Sequence, residues 1–242
     1  MSAEYLPCVE VQPRGGAATH CIILLHGLGA DGHDLASLAD EIVLPASVRM
    51  RFVLPHAPRR AVTLNGGMLM PAWYDIRELS LLNRGHDERG IKQSAAAITA
   101  LIEREVQRGI PAERIVLAGF SQGGAMALYS GLRQQQRIAA IVAMSCYLLL
   151  PDTLAAERAA ANDATPIFMG HGSYDPMVPI QAGEAARDTL TKLGWAPMWR
   201  TYPMEHSIAT EELADIGTFL ALALSSAAGA PDTDAALRKE SH

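Results

Sequence analysis

The sequence predicts an α/β fold, a single domain in which a mostly parallel central sheet is covered by helices on both faces. Three observations carry this. Short β-type runs alternate with helix-type runs along the chain. The β-type runs are continuously apolar, as expected of strands buried on both faces. The length of 242 residues, with 49% apolar and 19% charged side chains, suits one domain with a full core. In such a sheet, function gathers at the carboxyl ends of the strands.

The first strong strand is Cys21 to Leu25, followed by a helical pattern over Asp34 to Ile42 and a second strand, Arg51 to Leu54. Residues 57 to 90 then break the rhythm with a segment rich in Gly, Pro and Met, a loop long enough to predict a functional role. The clearest helix follows. Ile91, Ala95, Ile98, Leu101, Ile102 and Val106 share one face, and the pattern stops before Gly109 and Pro111. Strands at Arg114 to Ala118, Ala139 to Met144, Pro166 to Met169 and Met198 to Tyr202 come next. They alternate with helices at Gly123 to Gln135, Ile180 to Leu193 (stopped by Gly194) and Thr210 to Leu224. From Ser225 onward the chain is Ala, Ser, Gly, Pro and charges. The expected organisation is therefore one domain over residues 1–224 and a disordered tail over 225–242.

Composition excludes several classes. A net charge of −6 without any Lys/Arg-rich run argues against nucleic acid as a partner. The longest apolar stretch, Ile138 to Leu150, is shorter than the ~20 residues a bilayer crossing needs. No basic-then-apolar leader follows Met1, so a cytoplasmic protein is expected. Cys8, Cys21 and Cys146 are odd in number, widely spaced and without a CxxC, which speaks against a disulfide framework or a zinc site.

The strongest motif is Gly119-Phe120-Ser121-Gln122-Gly123-Gly124, a GxSxG directly between an apolar strand and a helical run. This layout projects a serine hydroxyl above the sheet on a strained turn and starts a helix beside it, whose positive end favours a developing oxyanion. In hydrolases built this way the acid and then the histidine follow the serine in the chain. After Ser121 only His171, His206 and His242 remain. His242 ends the expected tail and His171 ends a strand, which leaves His206 as the base. Asp175, just past the strand Pro166 to Met169, is the acid that orients it.

The second segment, His26-Gly27-Leu28-Gly29-Ala30-Asp31-Gly32, also reads as a GxGxxG through Gly27, Gly29 and Gly32. A dinucleotide site would require an acidic residue ending the next strand, yet that strand runs Phe52 to His56, and Asp31 would face a pyrophosphate with the wrong charge. The better account is an oxyanion loop, in which the backbone N–H groups of Leu28 and Gln122 hold the carbonyl oxygen. The third segment, Leu64 to Asp75, contains Met68, Leu69, Met70 and Trp73, adaptable apolar groups expected to form an acyl-chain pocket.

These segments together resemble the acyl-protein thioesterase and small carboxylesterase (phospholipase/carboxylesterase) family of α/β-hydrolases over about residues 20 to 220. The resemblance is carried by Leu25 to Gly32, Pro55-His56-Ala57-Pro58, Pro71 to Ile76, Gly119 to Gly124 and His171 to Pro179. It matches Ser121, Asp175 and His206 to the family triad, and Leu28 and Gln122 to its oxyanion donors. It further implies hydrolysis of carboxylic esters, thioesters, lysophospholipids or acylated proteins without metal or organic cofactor, and it allows a homodimer; the short apolar stretches separately predict no membrane insertion. One departure is Glu205, which stands beside His206 where the family often has glycine. Two other classes stay open from the residues alone. One is a non-catalytic binding protein on the same fold, the other an NAD(P)-binding oxidoreductase resting on the three glycines.

Overall fold

The computed structural model describes residues 5–77 and 86–226. Seven strands form one sheet in the order β1-β3-β2-β6-β7-β8-β9. The strands are β1 (Cys8–Val11), β2 (His20–Leu25), β3 (Met50–Pro55), β6 (Ile115–Phe120), β7 (Ala140–Met144), β8 (Ile167–Gly172) and β9 (Met198–Tyr202), and all pairs are parallel except β1 with β3. Strands β2, β3, β6, β7 and β8 are the expected apolar runs covered from both sides, while β9 departs from that expectation as an edge strand with Arg200 and Thr201 exposed. On β2, Cys21, Ile23 and Leu25 point into one core with Leu117 and Ile141, while Ile22 and Leu24 point into the other with Val116 and Val142.

Helices α2 (Glu88–Gln107), α3 (Gln122–Arg133) and α5 (Ile180–Lys192) cover the first core, and α6 (Thr210–Ser226) the second. The predicted apolar face of α2 is buried at Ile91, Ile98, Leu101 and Ile102, and the helix is capped by Asp87, whose side chain accepts the Gly90 N–H at 3.0 Å.

Four elements differ from the sequence reading. The helix expected over Asp34 to Ile42 shrinks to one turn, α1 (Leu38–Glu41). Ahead of and through it the backbone N–H groups bond three residues back, Ala36 to His33 O, Leu38 to Leu35 O, Ala39 to Ala36 O and Asp40 to Ser37 O, so tight turns replace the four-back ladder of an α-helix. Strand β1 lies on the sheet edge and only half buries its side chains, which leaves no continuous apolar run to read. The irregular segment contains a hairpin, β4 (Arg59–Val62) with β5 (Met68–Pro71), turned through Gly66 and Gly67 at positive φ. Its strands stand largely outside the core, so neither burial pattern marks them. A short helix, α4 (Pro151–Glu157), starts at Pro151 in the first-turn position where proline is tolerated.

Helix α6 runs to Ser226, two residues past the expected domain end, and the rest of the expected tail lies outside the described residues. Among the described residues no helix is long and apolar enough to cross a membrane. Cys21 and Cys146 are buried and Cys8 half-buried, all three as free thiols.

Candidate active site

Ser121 joins β6 to α3 at φ 55° and ψ −120°, dihedrals that glycine normally occupies. The turn is held on both sides. The Ser121 N–H donates to Met144 O at 2.8 Å, and its carbonyl accepts the Ala125 N–H at 3.0 Å. The glycines of the motif are a matter of space: a Cβ on Gly119 would collide with the Gly123 backbone, and one on Gly123 with the Leu25 carbonyl. Local dihedral strain of this kind is on the order of 1–3 kcal/mol and persists only where surrounding bonds over-determine it.

Asp175 and His206 come from the loops after β8 and β9. The paired strands are extended past their ends by Ser173 N–H to Tyr202 O at 2.8 Å and Tyr174 N–H to Met204 O at 3.1 Å. Asp175 is buried. Its Oδ1 accepts the N–H groups of Met177 and Val178, each at 2.8 Å, and its Oδ2 accepts His206 Nδ1 at 2.6 Å. With Nδ1 donating, the Nε2 lone pair of His206 is free to take a proton. The imidazole packs on Phe120, the residue before Ser121, with ring centroids 4.7 Å apart. Ser121 Oγ makes no hydrogen bond among the described residues, so the structure joins acid and base directly and brings the serine in as the neighbour of the ring the base rests on. Glu205 is exposed, so its side chain faces solvent beside the base.

His171, set aside as a base from its position in the chain, is a buried strut. Its Nε2 donates to Val178 O at 2.8 Å, which pins the loop carrying Asp175, and burial lowers its pKa so that it stays neutral.

The loop after β2 approaches the same point: a Cβ on Gly27 would lie 3.5 Å from Ser121 Cβ. Among the described residues the N–H groups of Leu28 and Gln122 have no internal partner, as donors waiting for an oxyanion should not. The loop is held by buried His26, whose Nε2 accepts the Ala57 N–H at 3.0 Å while Nδ1 donates to Gly27 O at 2.7 Å. Burial lowers the pKa of His26, consistent with that neutral tautomer. Of the GxGxxG glycines, Gly29 takes φ 77° and Gly32 packs against the Leu54 carbonyl, and the chain continues into turns rather than a helix.

The four residues expected to form an acyl pocket separate. Met68 and Leu69 are 64% and 62% exposed on β5, and Met70 is half-buried with its sulfur near Gly29. Trp73 corrects the expectation: it is fully buried and presents no surface to a substrate. Its backbone N–H donates to Gln122 Oε1 at 2.7 Å, its indole N–H to His26 O at 2.9 Å, and its carbonyl accepts Ser94 Oγ. Gln122 completes the brace by donating from Nε2 to Tyr74 O at 2.9 Å. Sequence reasoning had no signal for this second use of Gln122, because the motif specifies only its position after the serine. Beyond it, the Tyr74 and Tyr147 hydroxyls meet at 2.7 Å.

Residues 6–224 match the phospholipase/carboxylesterase family. The chain is 44% identical over 216 residues to acyl-protein thioesterase 1 of Neurospora crassa, covering 86% of this chain and 88% of that protein. It is 41% identical over 218 residues to acyl-protein thioesterase 1 of Gibberella zeae, covering 87% and 93%. The crystal structure of Zea mays acyl-protein thioesterase 2 superposes with a TM-score of 0.80 at 27% identity, over 91% of this chain and all of that one.

Proposed function

The chain belongs to the phospholipase/carboxylesterase family of α/β-hydrolases, serine hydrolases of carboxylic esters, and from that premise we propose that it cleaves fatty acyl esters and thioesters through Ser121, with His206 as base and Asp175 as the acid that orients it. The observation that carries this reading is the 2.6 Å bond from His206 Nδ1 to a buried carboxylate, on a ring packed against the strained turn that bears Ser121.

The chemistry follows from the donors and acceptors. Ser121 Oγ adds to the acyl carbon as its proton passes to His206 Nε2, and the oxygen that gains the electron pair is met by the N–H groups of Leu28 and Gln122. Collapse of the adduct breaks the bond to the alcohol or thiol, which leaves with the proton from His206. Water, deprotonated by His206, then adds to the acyl-serine, and the acid is released as Ser121 recovers its proton. Asp175 stays ionised throughout and stabilises the imidazolium. Each oxyanion donor is worth ~3 to 4 kcal/mol of transition-state stabilisation.

The acyl chain is assigned to Met68, Leu69 and Met70, on a hairpin tied to the oxyanion loop by Gly29 N–H to Pro71 O at 2.9 Å. The thioether side chains adapt to chains of differing length. The test is hydrolysis of p-nitrophenyl esters from acetate to laurate and of a palmitoyl thioester by wild type and Ser121→Ala. Loss of all hydrolysis in the variant supports the reading, and activity retained in it overturns the nucleophile.

A further inference from the structure

Among the described residues, two buried polar side chains beneath the proposed triad lack a well-formed hydrogen bond: Ser145 at Oγ, and Glu212 at both carboxyl oxygens. They meet the chain at one residue, Gly170 on β8. The Ser145 N–H donates to Gly170 O at 2.8 Å, and Glu212 Oε1 occupies the space where a Cβ on Gly170 would stand. Glycine is required there because the carboxyl fills that space. Ser145 itself is held at φ 46° directly after Met144, whose carbonyl anchors Ser121.

Each end of this cluster leads to a different part of the site. Glu212 is the third residue of α6, the helix that starts four residues after His206. Gly170 precedes buried His171 and the loop of Asp175, and Ser145 follows the strand that anchors Ser121.

Resting on the triad reading above, we propose that Glu212 is a positioning residue: its carboxyl, wedged on Gly170 beside Ser145, pins the start of α6 and hence His206 to the strand ends that carry Asp175 and Ser121. A carboxylate in this position would have the Ala209 backbone N–H beside it but no cation. The titratable groups that face it are Asp215 on its own helix, Tyr202 at the end of β9 and Cys146 after β7, none of them a cation. Burial, opposed by the Ala209 backbone N–H and reinforced by Asp215, pushes its pKa up to about 8. The side chain is therefore a neutral acid at neutral pH, with an O–H to donate. Ionisation at higher pH places an unpaired charge behind the site and loosens the pin.

The experiment compares wild type, Glu212→Gln and Glu212→Leu in kcat and KM for a short p-nitrophenyl ester from weakly acid to alkaline pH, with Ser121→Ala in parallel. Wild type is expected to decline in kcat near pH 8, and Glu212→Gln to match it at neutral pH without that decline, since an amide fills the same space without ionising. Glu212→Leu is expected to lower kcat about tenfold with KM little changed. Should Glu212→Leu not fold, the Glu212→Gln profile decides alone. An alkaline limb in Glu212→Gln superimposable on wild type overturns the inference, as does a Glu212→Leu protein that melts earlier at unchanged kcat. Failure of the triad reading shows separately, as hydrolysis that survives Ser121→Ala.

Discussion

The side-chain carbonyl of Gln122 accepts the backbone N–H of Trp73 at 2.7 Å, so the residue proposed to offer its own N–H to the oxyanion also braces the segment after β5. Both amide groups of Gln122 are used, the other on Tyr74 O. Gln122→Ala would strand a buried donor and a buried acceptor. The expected loss is about 2–4 kcal/mol of stability, measurable by urea unfolding, with kcat lowered because the loop after β5 loses its tether. An unchanged unfolding midpoint would show that water replaces both bonds without loss.

Trp73 and the exposed methionine edge should separate in kinetics. Trp73→Ala opens a cavity and breaks the bond to His26 O, so about 3–5 kcal/mol of destabilisation is expected, with kcat reduced for every ester length alike. Met68→Ser with Leu69→Ser is expected to raise KM for laurate esters while leaving acetate esters unchanged. A length profile that moves with Trp73 and not with Met68 and Leu69 would return the pocket to the indole.

Ser121 is held at φ 55° by the strand and helix on either side. Ser121→Gly is expected to abolish turnover and raise stability by about 1 kcal/mol, because glycine removes the dihedral strain. Thermal unfolding of the two proteins side by side checks this, and a less stable glycine variant would mean that the turn is not strained.

Asp175→Asn keeps an acceptor for the Met177 and Val178 N–H groups but can present an N–H to His206 Nδ1, which selects the wrong tautomer. A fall in kcat on the order of 10⁴-fold is expected with little change in KM. A loss of tenfold or less would show that Asp175 orients the ring without fixing its proton.

Glu212 also links stability to pH. Its folded pKa of about 8 lies above the ordinary 4.5, so the folded state holds the proton more tightly. The stability this contributes is complete below the ordinary value and declines by about 1.4 kcal/mol per pH unit as pH rises toward the folded value. The advantage of Glu212→Gln over wild type in unfolding free energy is thus expected to grow between about pH 5 and about pH 8. A difference that stays constant across that range would place the carboxyl in contact with water.

Much of this molecule was legible in its residues. Five of the seven sheet strands read as apolar runs, since a strand buried on both faces has no choice of side chain, whereas edge strand β9 exposes Arg200 and Thr201. Ser121, Asp175 and His206 were picked out as triad candidates by motif and order in the chain, and the structure hydrogen-bonds the latter two. The hairpin Arg59–Val62 with Met68–Pro71 did not announce itself, because strands outside the core carry no burial pattern. The helix over Asp34 to Ile42 misled, because its backbone closes three-back turns over residues 36–40, which an apolar periodicity does not distinguish from the four-back ladder of an α-helix.

What the sequence by itself determined is the alternation of elements and which serine, aspartate and histidine are the candidates for nucleophile, acid and base, because these depend on local spacing and on residue type. Only the tertiary structure decided that Trp73 is a brace, that His171 supports the acid loop, and that Glu212 lies buried against Gly170. Each of those roles comes from a contact between residues distant in the chain, where burial and the lack of competing water give a single hydrogen bond or an unpaired carboxyl its weight.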